Sequence, residues 1–297
     1  MYSMKFLERK DIDLEAWDRR IQSDAEENIF CYSWYLDATA ENWGGLVSED
    51  YQTILPVPYT VKLGIKRYYQ APFTREYSIF GTNFNWEKAL QELNGQFKHF
   101  SFRTNELPIH SEKEERRHQF LSLDADLELR YRSNAKRLIK KGNKHYSITV
   151  GGKPSTLIQL FKDTVGHKIE SIDSDALEKL NQLMLKALNK GKGELLRVTG
   201  DNGELLAGGF FLKDKKRITY LKGAATNEAK KKGAMYALFD YAFKKYRPDF
   251  DTFDFGGSDV DNVATFYKKF GAADRKYYNY TIDKTPFWFK ALRKIKR

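Results

Sequence analysis

Between Glu194 and Thr226 the chain reads ELLRVT, GDNG, ELLAGGFFLK, DKKR, ITYLKGAAT: three β-prone runs separated by polar, glycine-bearing turns, which predicts an antiparallel meander. A loop NEAKKKG, a helix over AMYALFDYAFKKY, a strand FDTFDFG, a GGSD turn, a helix over VDNVATFYKKF and an aromatic strand RKYYNYTI complete the order. The order is restrictive. A meander followed by helices alternating with further strands fits the α/β class, with an α+β mixed sheet.

The first half shows a weaker version of the same order. Helices are predicted near Leu14 to Ile21 and Ser33 to Thr39, then GGLVSEDYQTILPVPY reads as two strands turning at Glu49 and Asp50, with IKRYYQ as an aromatic third. WEKALQELNGQF has helical spacing with Gly95 as its stop, and HFSFRTN and HQFLSLD follow as strands. The pattern reads as an internal duplication of architecture, with a first domain over residues 1–145 and a second over 146–297. Residues Asp126 to Lys141 predict a basic helix stopped by Gly142, followed by the strand YSITVGG and two helices, from Ser155 toward Val165 and from Asp175 to Gly191.

Composition narrows the function classes. A net charge of +11 favours polyanionic partners such as phosphorylated cofactors, nucleotide-activated substrates, RNA or an anionic membrane surface. The single cysteine, Cys31, allows no internal disulfide and points to a reducing, cytoplasmic setting. His99, His110, His118, His145 and His167 are scattered without metal-ligand spacing, so no metal site is expected. No stretch approaches the roughly 20 apolar residues of a membrane span. The segment TPFWFKALRKIKR predicts a short amphipathic helix that packs Phe287, Trp288 and Leu292 on the domain, a membrane-surface role being the alternative.

The best local case for a site is the strand ITYLKGAAT, the loop after it and the next helix. Free N–H groups at a helix N-terminus favour phosphate, Lys230, Lys231 and Lys232 add charge, and Gly233 lets a ligand approach. A solvated lysine loop is the plain alternative. Backbone N–H groups near Gly223, Ala224 and Ala225 could hold a developing oxyanion. Glu228, Asp254 and Asp259 are the acidic residues around that cleft, each equally explained as a strand-end or loop carboxylate.

The order from Glu194 to Asp283 resembles the GNAT (Gcn5-related N-acetyltransferase) core. That family's R/QxxGxG/A signature falls on Lys230, Gly233 and Met235, and DNVATFYKKFGA is similar to its later motif at Asn262, Tyr267 and Gly271. The resemblance implies tandem GNAT-like domains, each a mostly antiparallel sheet flanked by helices. It also implies an acyl-CoA donor, acetyl-CoA foremost, bound by Gly223, Ala224, Ala225, Lys230, Lys231, Lys232, Gly233, Ala234 and Asn262. Tyr267 is the implied general acid toward the departing thiolate, with Asp259 and Glu228 as catalytic carboxylates; a tyrosine packed beside Phe266 and Phe270 is the alternative. Over nearly the whole chain, FDFGGSD, FYKKFGA and YRSNAKRLIKKGNKH, with Arg132, Lys136, Arg137 and Lys140 as basic positions, resemble the Fem-type peptidoglycan bridge-forming transferases. That likeness implies an aminoacyl-tRNA donor as the other option and a peptidoglycan-precursor or small-molecule amine as acceptor. The rival from another class is a non-catalytic RNA- or nucleotide-binding module, its stacking platforms in IKRYYQ and RKYYNY.

Overall fold

Hydrophobic burial sorts the chain into two sets of mutually packed elements, Met1–Arg116 with Lys276–Arg297, and Arg117–Arg275. The computed structural model describes residues 4–82, 84–104, 112–164, 174–200, 202–257 and 261–295.

In the first unit, β1 (Met4–Glu8) precedes α1 (Leu14–Ser23), α2 (Ser33–Thr39), β2 (Asn42–Ser48), β3 (Ile54–Lys62), β4 (Ile65–Tyr68), α3 (Trp86–Gln96) and β5 (Phe97–Thr104). Asp13 starts α1 by accepting from the amides of Glu15 and Ala16, and the helix buries Trp17 and Ile21. β1 pairs antiparallel with β2, β2 with β3 and β3 with β4, whereas β5 lies parallel to β4. The parallel pair needs a crossover, and α3 supplies it. α3 ends at Gln96, one residue past the expected stop at Gly95.

The second copy repeats the plan. β6 (Glu112–Ser122) leads through a 3-10 turn (Leu127–Arg130) to α4 (Ser133–His145), β7 (Ser147–Val150), α5 (Pro154–Thr164), α6 (Ser174–Asn189), β8 (Gly193–Thr199), β9 (Leu205–Lys213) and β10 (Arg217–Ala225). Then come α7 (Asn227–Lys231), α8 (Ala234–Tyr246), β11 (Thr252–Gly257), α9 (Asp261–Lys268), β12 (Ala273–Asp283) and α10 (Phe287–Ile295). β7 to β10 pair antiparallel in sequence and β11 lies parallel to β10. The fold class is the expected one: a mixed, mostly antiparallel arrangement flanked by helices.

The final strands are exchanged. Thr252, Phe253 and Asp254 of β11 pair with Ser122, Leu121 and Phe120 of β6, while residues Tyr278 to Asp283 of β12 pair with β5. Sequence reading drew its line between residues 145 and 146; by packing, Met1–Arg116 groups with Lys276–Arg297, where β12 lies on β5, and Arg117–Arg275 forms the other unit, where β6 lies on β11. Helix α4, drawn with the first domain, packs in the second unit.

Two local expectations change. Gly142 does not stop α4, which continues to His145; the missing side chain serves packing, as described below. In α10 it is Phe289 that packs, 1% exposed, while Phe287 and Trp288 are 86% and 49% exposed. The side chain of Leu292 lies outside the described residues.

The core of the second unit gathers on one side of α8. Phe239 is fully buried and touches the rings of Tyr220, Phe243, Phe253, Phe255, Phe266, Tyr267 and Phe270. At the edge of this unit the Asp274 carboxylate accepts from Lys268 Nζ (2.6 Å) and Gln119 Nε2 (2.9 Å). Burial opposes its ionisation, but those two bonds outweigh it and hold its pKa below the ordinary value. A depressed carboxylate contributes stability above the unfolded pKa of about 4, lost as pH falls through the lower folded value. The melting temperature of Asp274→Asn is therefore expected to fall less steeply on acidification below about pH 4 than that of the wild type, a difference read by thermal melts across pH.

Candidate active site

β10 is held on both sides only at its start. Its residues Arg217, Ile218 and Thr219 pair with Thr252, Phe253 and Asp254 of β11. The register with β9 then shifts between Tyr220 and Lys222, leaving Leu221 as the extra residue of a bulge. Past that point β10 stays with β9 through Ala225, β11 pairs with β6 at Gly257, and no ladder joins β10 to β11 among the described residues. The strands fork. Beyond the bulge every second β10 amide points away from β9; with the Thr226 amide bonded to the Leu206 carbonyl, this alternation leaves those of Gly223 and Ala225 facing the opening, while that of Ala224, also expected there, turns to β9. Gly223 is obligatory: a Cβ there would sit 2.1 Å from the Tyr220 hydroxyl and 2.6 Å from the Gly208 carbonyl oxygen.

β10 leads into the lysine loop, which is a short helix and not an extended segment. Thr226 caps α7 by accepting from the amide of Ala229, Lys232 ends it, and Gly233, at φ +87°, turns the chain into α8. The first bond of α8 runs from the Ala237 amide to the Gly233 carbonyl at 3.0 Å, so the amides of Ala234, Met235 and Tyr236 point beyond the helix start. No side chain at the cap position satisfies them. Lys230 and Lys231 stand exposed beside this end, while Lys232 is paired with Glu228 at 2.7 Å.

Gly233 has a packing task that sequence reading missed. A Cβ on Gly233 would lie 2.3 Å from the Leu138 carbonyl oxygen, and one on Gly142 would lie 2.6 Å from the Gly233 carbonyl oxygen. What approaches Gly233 is the backbone of α4. Lys141 adds a bond from its Nζ to the Lys231 carbonyl (3.3 Å), so the basic helix braces the loop. Its Lys136 and Lys140 border a cleft of about 520 Å³ on the flank of α8, where buried Asp240 accepts from Tyr131 Oη (3.1 Å) and Lys244 Nζ (2.9 Å).

The catalytic candidates separate. Tyr267, on α9, is 7% exposed and stacks on Phe255, with ring centroids 4.4 Å apart. Phe255 follows Asp254, the last β11 residue paired with β10, so the tyrosine ring sits beside the fork. Glu228 is exposed, and its hydrogen bond and ion pair with Lys232 lower its pKa, which weakens it as a base. Asn262 lies exposed in the first turn of α9. Asp259 lies outside the described residues.

Asp254 is buried at the vertex of the fork and accepts from the Gly256 amide at 2.6 Å. Strand alternation turns Asp254 and its neighbour Thr219 away from the aromatic core that holds Phe253, Phe255, Ile218 and Tyr220, toward the α5 face. Lys222 shares that face, its Nζ 4.1 Å from the centroid of the Phe161 ring on α5. Sequence reading missed Thr219, Lys222 and Phe161; only the bulge brings Lys222 to this face. Of the rings proposed as RNA platforms, Tyr68, Tyr277 and Tyr280 are buried and Tyr69 and Tyr278 are half-buried. Among the described residues no three His, Cys, Asp or Glu side chains are grouped as metal ligands, and no helix is long and apolar enough to cross a membrane. His110 and His167 lie outside the described residues.

Residues 130–269 match the family described as the acetyltransferase (GNAT) domain. The chain carries a GNAT domain within a FemX-like fold. The match begins at Arg130, so it takes in α4 together with the fork and α8. The crystal structure of FemX is similar over 95% of this chain and 98% of its own, with 12% identity and a TM-score of 0.67. The C-terminal domain (DUF2156) of a putative lysylphosphatidylglycerol synthetase from Agrobacterium fabrum is similar over 92% of each chain, with 12% identity and a TM-score of 0.62. A tandem GNAT protein from the clavulanic acid biosynthesis pathway is similar over 95% of this chain and 99% of its own, with 10% identity and a TM-score of 0.56. No curated protein sequence matches the chain at a significant level. With its GNAT domain the protein falls in the acyltransferase class.

Proposed function

We propose that this cytoplasmic GNAT-fold acyltransferase moves an acyl group from acyl-CoA, acetyl-CoA foremost, to an amine of a peptidoglycan precursor or small molecule. The observation that carries the reading is the β10–β11 fork opening next to the uncapped start of α8. Donor phosphates meet the amides of Ala234, Met235 and Tyr236 with Lys230 and Lys231 beside them, and the thioester runs into the fork. The acceptor approaches from the α5 face. Its nitrogen forms a bond to the thioester carbon as the carbon–sulfur bond breaks, the oxyanion resting on amides of Gly223 and Ala225. Asp254 is the carboxylate best placed to take the amine proton, and Tyr267 gives a proton to the leaving thiolate. Glu228, held by Lys232, supports the loop, and Asn262 and the exposed start of α9 border the donor. A degenerate first copy and an active second one remain the proposed division of labour.

Calorimetry and thermal shift against a panel of acyl-CoAs test this reading. A donor at a hundred times its Kd stabilises the fold by about 2.7 kcal/mol, and Lys230→Ala with Lys231→Ala weakens binding. Tyr267→Phe keeps the stack on Phe255 and is expected to lower kcat about a hundredfold with donor Kd unchanged. An unchanged kcat would reduce Tyr267 to a packing residue. Failure of every acyl-CoA to bind, with charged tRNA protecting the fold instead, would transfer the donor role to aminoacyl-tRNA. Strongly salt-dependent RNA binding without turnover of either donor would favour the binding module.

A further inference from the structure

Helix α10 closes the described chain in the first unit, and its start is firmly tied. The Lys284 amide bonds the Lys98 carbonyl (2.8 Å), Lys284 Nζ reaches Asn94 (2.9 Å), and the Thr285 amide bonds Asp283 Oδ1 (2.9 Å). Phe289 is sunk into the unit beneath the Arg67 guanidinium, 6.0 Å from the ring centroid. With both ends of this first turn fixed, Phe287 and Trp288 are presented to solvent, 86% and 49% exposed. They are the two largest aromatic side chains so exposed among the described residues, and water is the costliest place to hold them. Their position is set by the anchors and not by a loose tail.

The sequence beside them is strongly basic, with Asp283, 3.9 Å from Lys290 Nζ, as the acidic residue at its edge. From Lys284 to Arg297 the sequence holds Lys284, Lys290, Arg293, Lys294, Lys296 and Arg297 and no acidic residue. A second copy docking through this patch would bring two such cationic segments together. We propose that α10 docks the protein on an anionic phospholipid surface, with Phe287 and Trp288 entering the acyl boundary and the net positive charge of the segment drawing it to the headgroup phosphates. An aromatic pair supplies insertion and the cations supply attraction, the combination that suits an interfacial helix. The interaction is peripheral and independent of which acyl donor the enzyme uses.

The test is co-sedimentation of the full chain with phosphatidylcholine vesicles, with and without about one-third phosphatidylglycerol, at low and high salt. Binding is expected to the anionic vesicles at low salt, with Phe287→Ser/Trp288→Ser lowering the partition coefficient by about tenfold or more. Because both side chains are exposed, the double variant should melt with the wild type, which a thermal scan checks. Three results would overturn the proposal: equal binding to neutral vesicles, undiminished binding by the double variant, or a wild-type dimer in sedimentation that the double variant breaks. Release from vesicles by an RNA oligomer that binds the wild type but not the double variant would likewise assign the patch to nucleic acid.

Discussion

Gly233→Ala is expected to cost roughly 3–5 kcal/mol, because it places a Cβ against backbone at a left-handed φ. The carbonyl oxygen of Leu138 would lie 2.3 Å from the new carbon and belongs to a helix, so it cannot rotate aside as a side-chain tip would. The residue also sits at φ +87°, a region that charges an L-residue for entry. Relief requires α4 to slide off α8, opening the Gly142–Gly233 contact and releasing the brace from Lys141 to Lys231. For a unit of this size the loss should appear as a fall of about 6–20 °C in melting temperature. A shift under about 2 °C would mean that α4 gives way easily. The consequence for function is direct: weakened donor binding in a Gly233 variant reports helix displacement as well as ligand contact, whereas the exposed Lys230 and Lys231 side chains can be truncated with the Gly142–Gly233 contact left in place.

Phe239→Ala should lower stability by about 3–5 kcal/mol, since the ring is fully buried and a methyl leaves most of its volume empty. Its neighbours come from β10, β11, α8, α9 and the turn after α9, so no single element can close the gap by moving. Phe239→Leu, which keeps more of the volume, should lose less than half as much. Urea denaturation of the three proteins reads the series. The change also reaches the site, because Tyr267 rests on Phe239 as well as on Phe255. Acyl-transfer rate should therefore fall in Phe239→Ala even where the protein remains folded, and a wild-type rate would argue against Tyr267 as the proton donor.

The candidate site was legible in part, and the division follows from where each signal is stored. The glycine before α8 and the lysines around it were readable because a turn residue and a charge run are local, but the partner of Gly233 was not. Leu138 lies far back in the chain, and an exposed phosphate loop and a loop roofed by a helix look alike in sequence. The bulge at Leu221 went unread for a similar reason: ITYLKGAAT alternates well enough to pass as a plain strand, and only pairing with β9 reveals the extra residue that turns Lys222 toward α5. In α10 the pattern showed an amphipathic helix but not which aromatic was inward, since that depends on where β12 and Arg67 leave room.

By itself the sequence determined the order of strands, turns and helices in each half, the repeat between them, and the position of the fork-to-helix segment, because periodicity, caps and turn residues act over a few consecutive positions. Tertiary structure alone decided the exchange of the last strands, the forking of β10 from β11, the seating of α4 on Gly233 and the outward turn of Phe287 and Trp288. Each of these depends on which distant residues compete for the same hydrogen-bonding edge or the same space, and no local pattern records that competition.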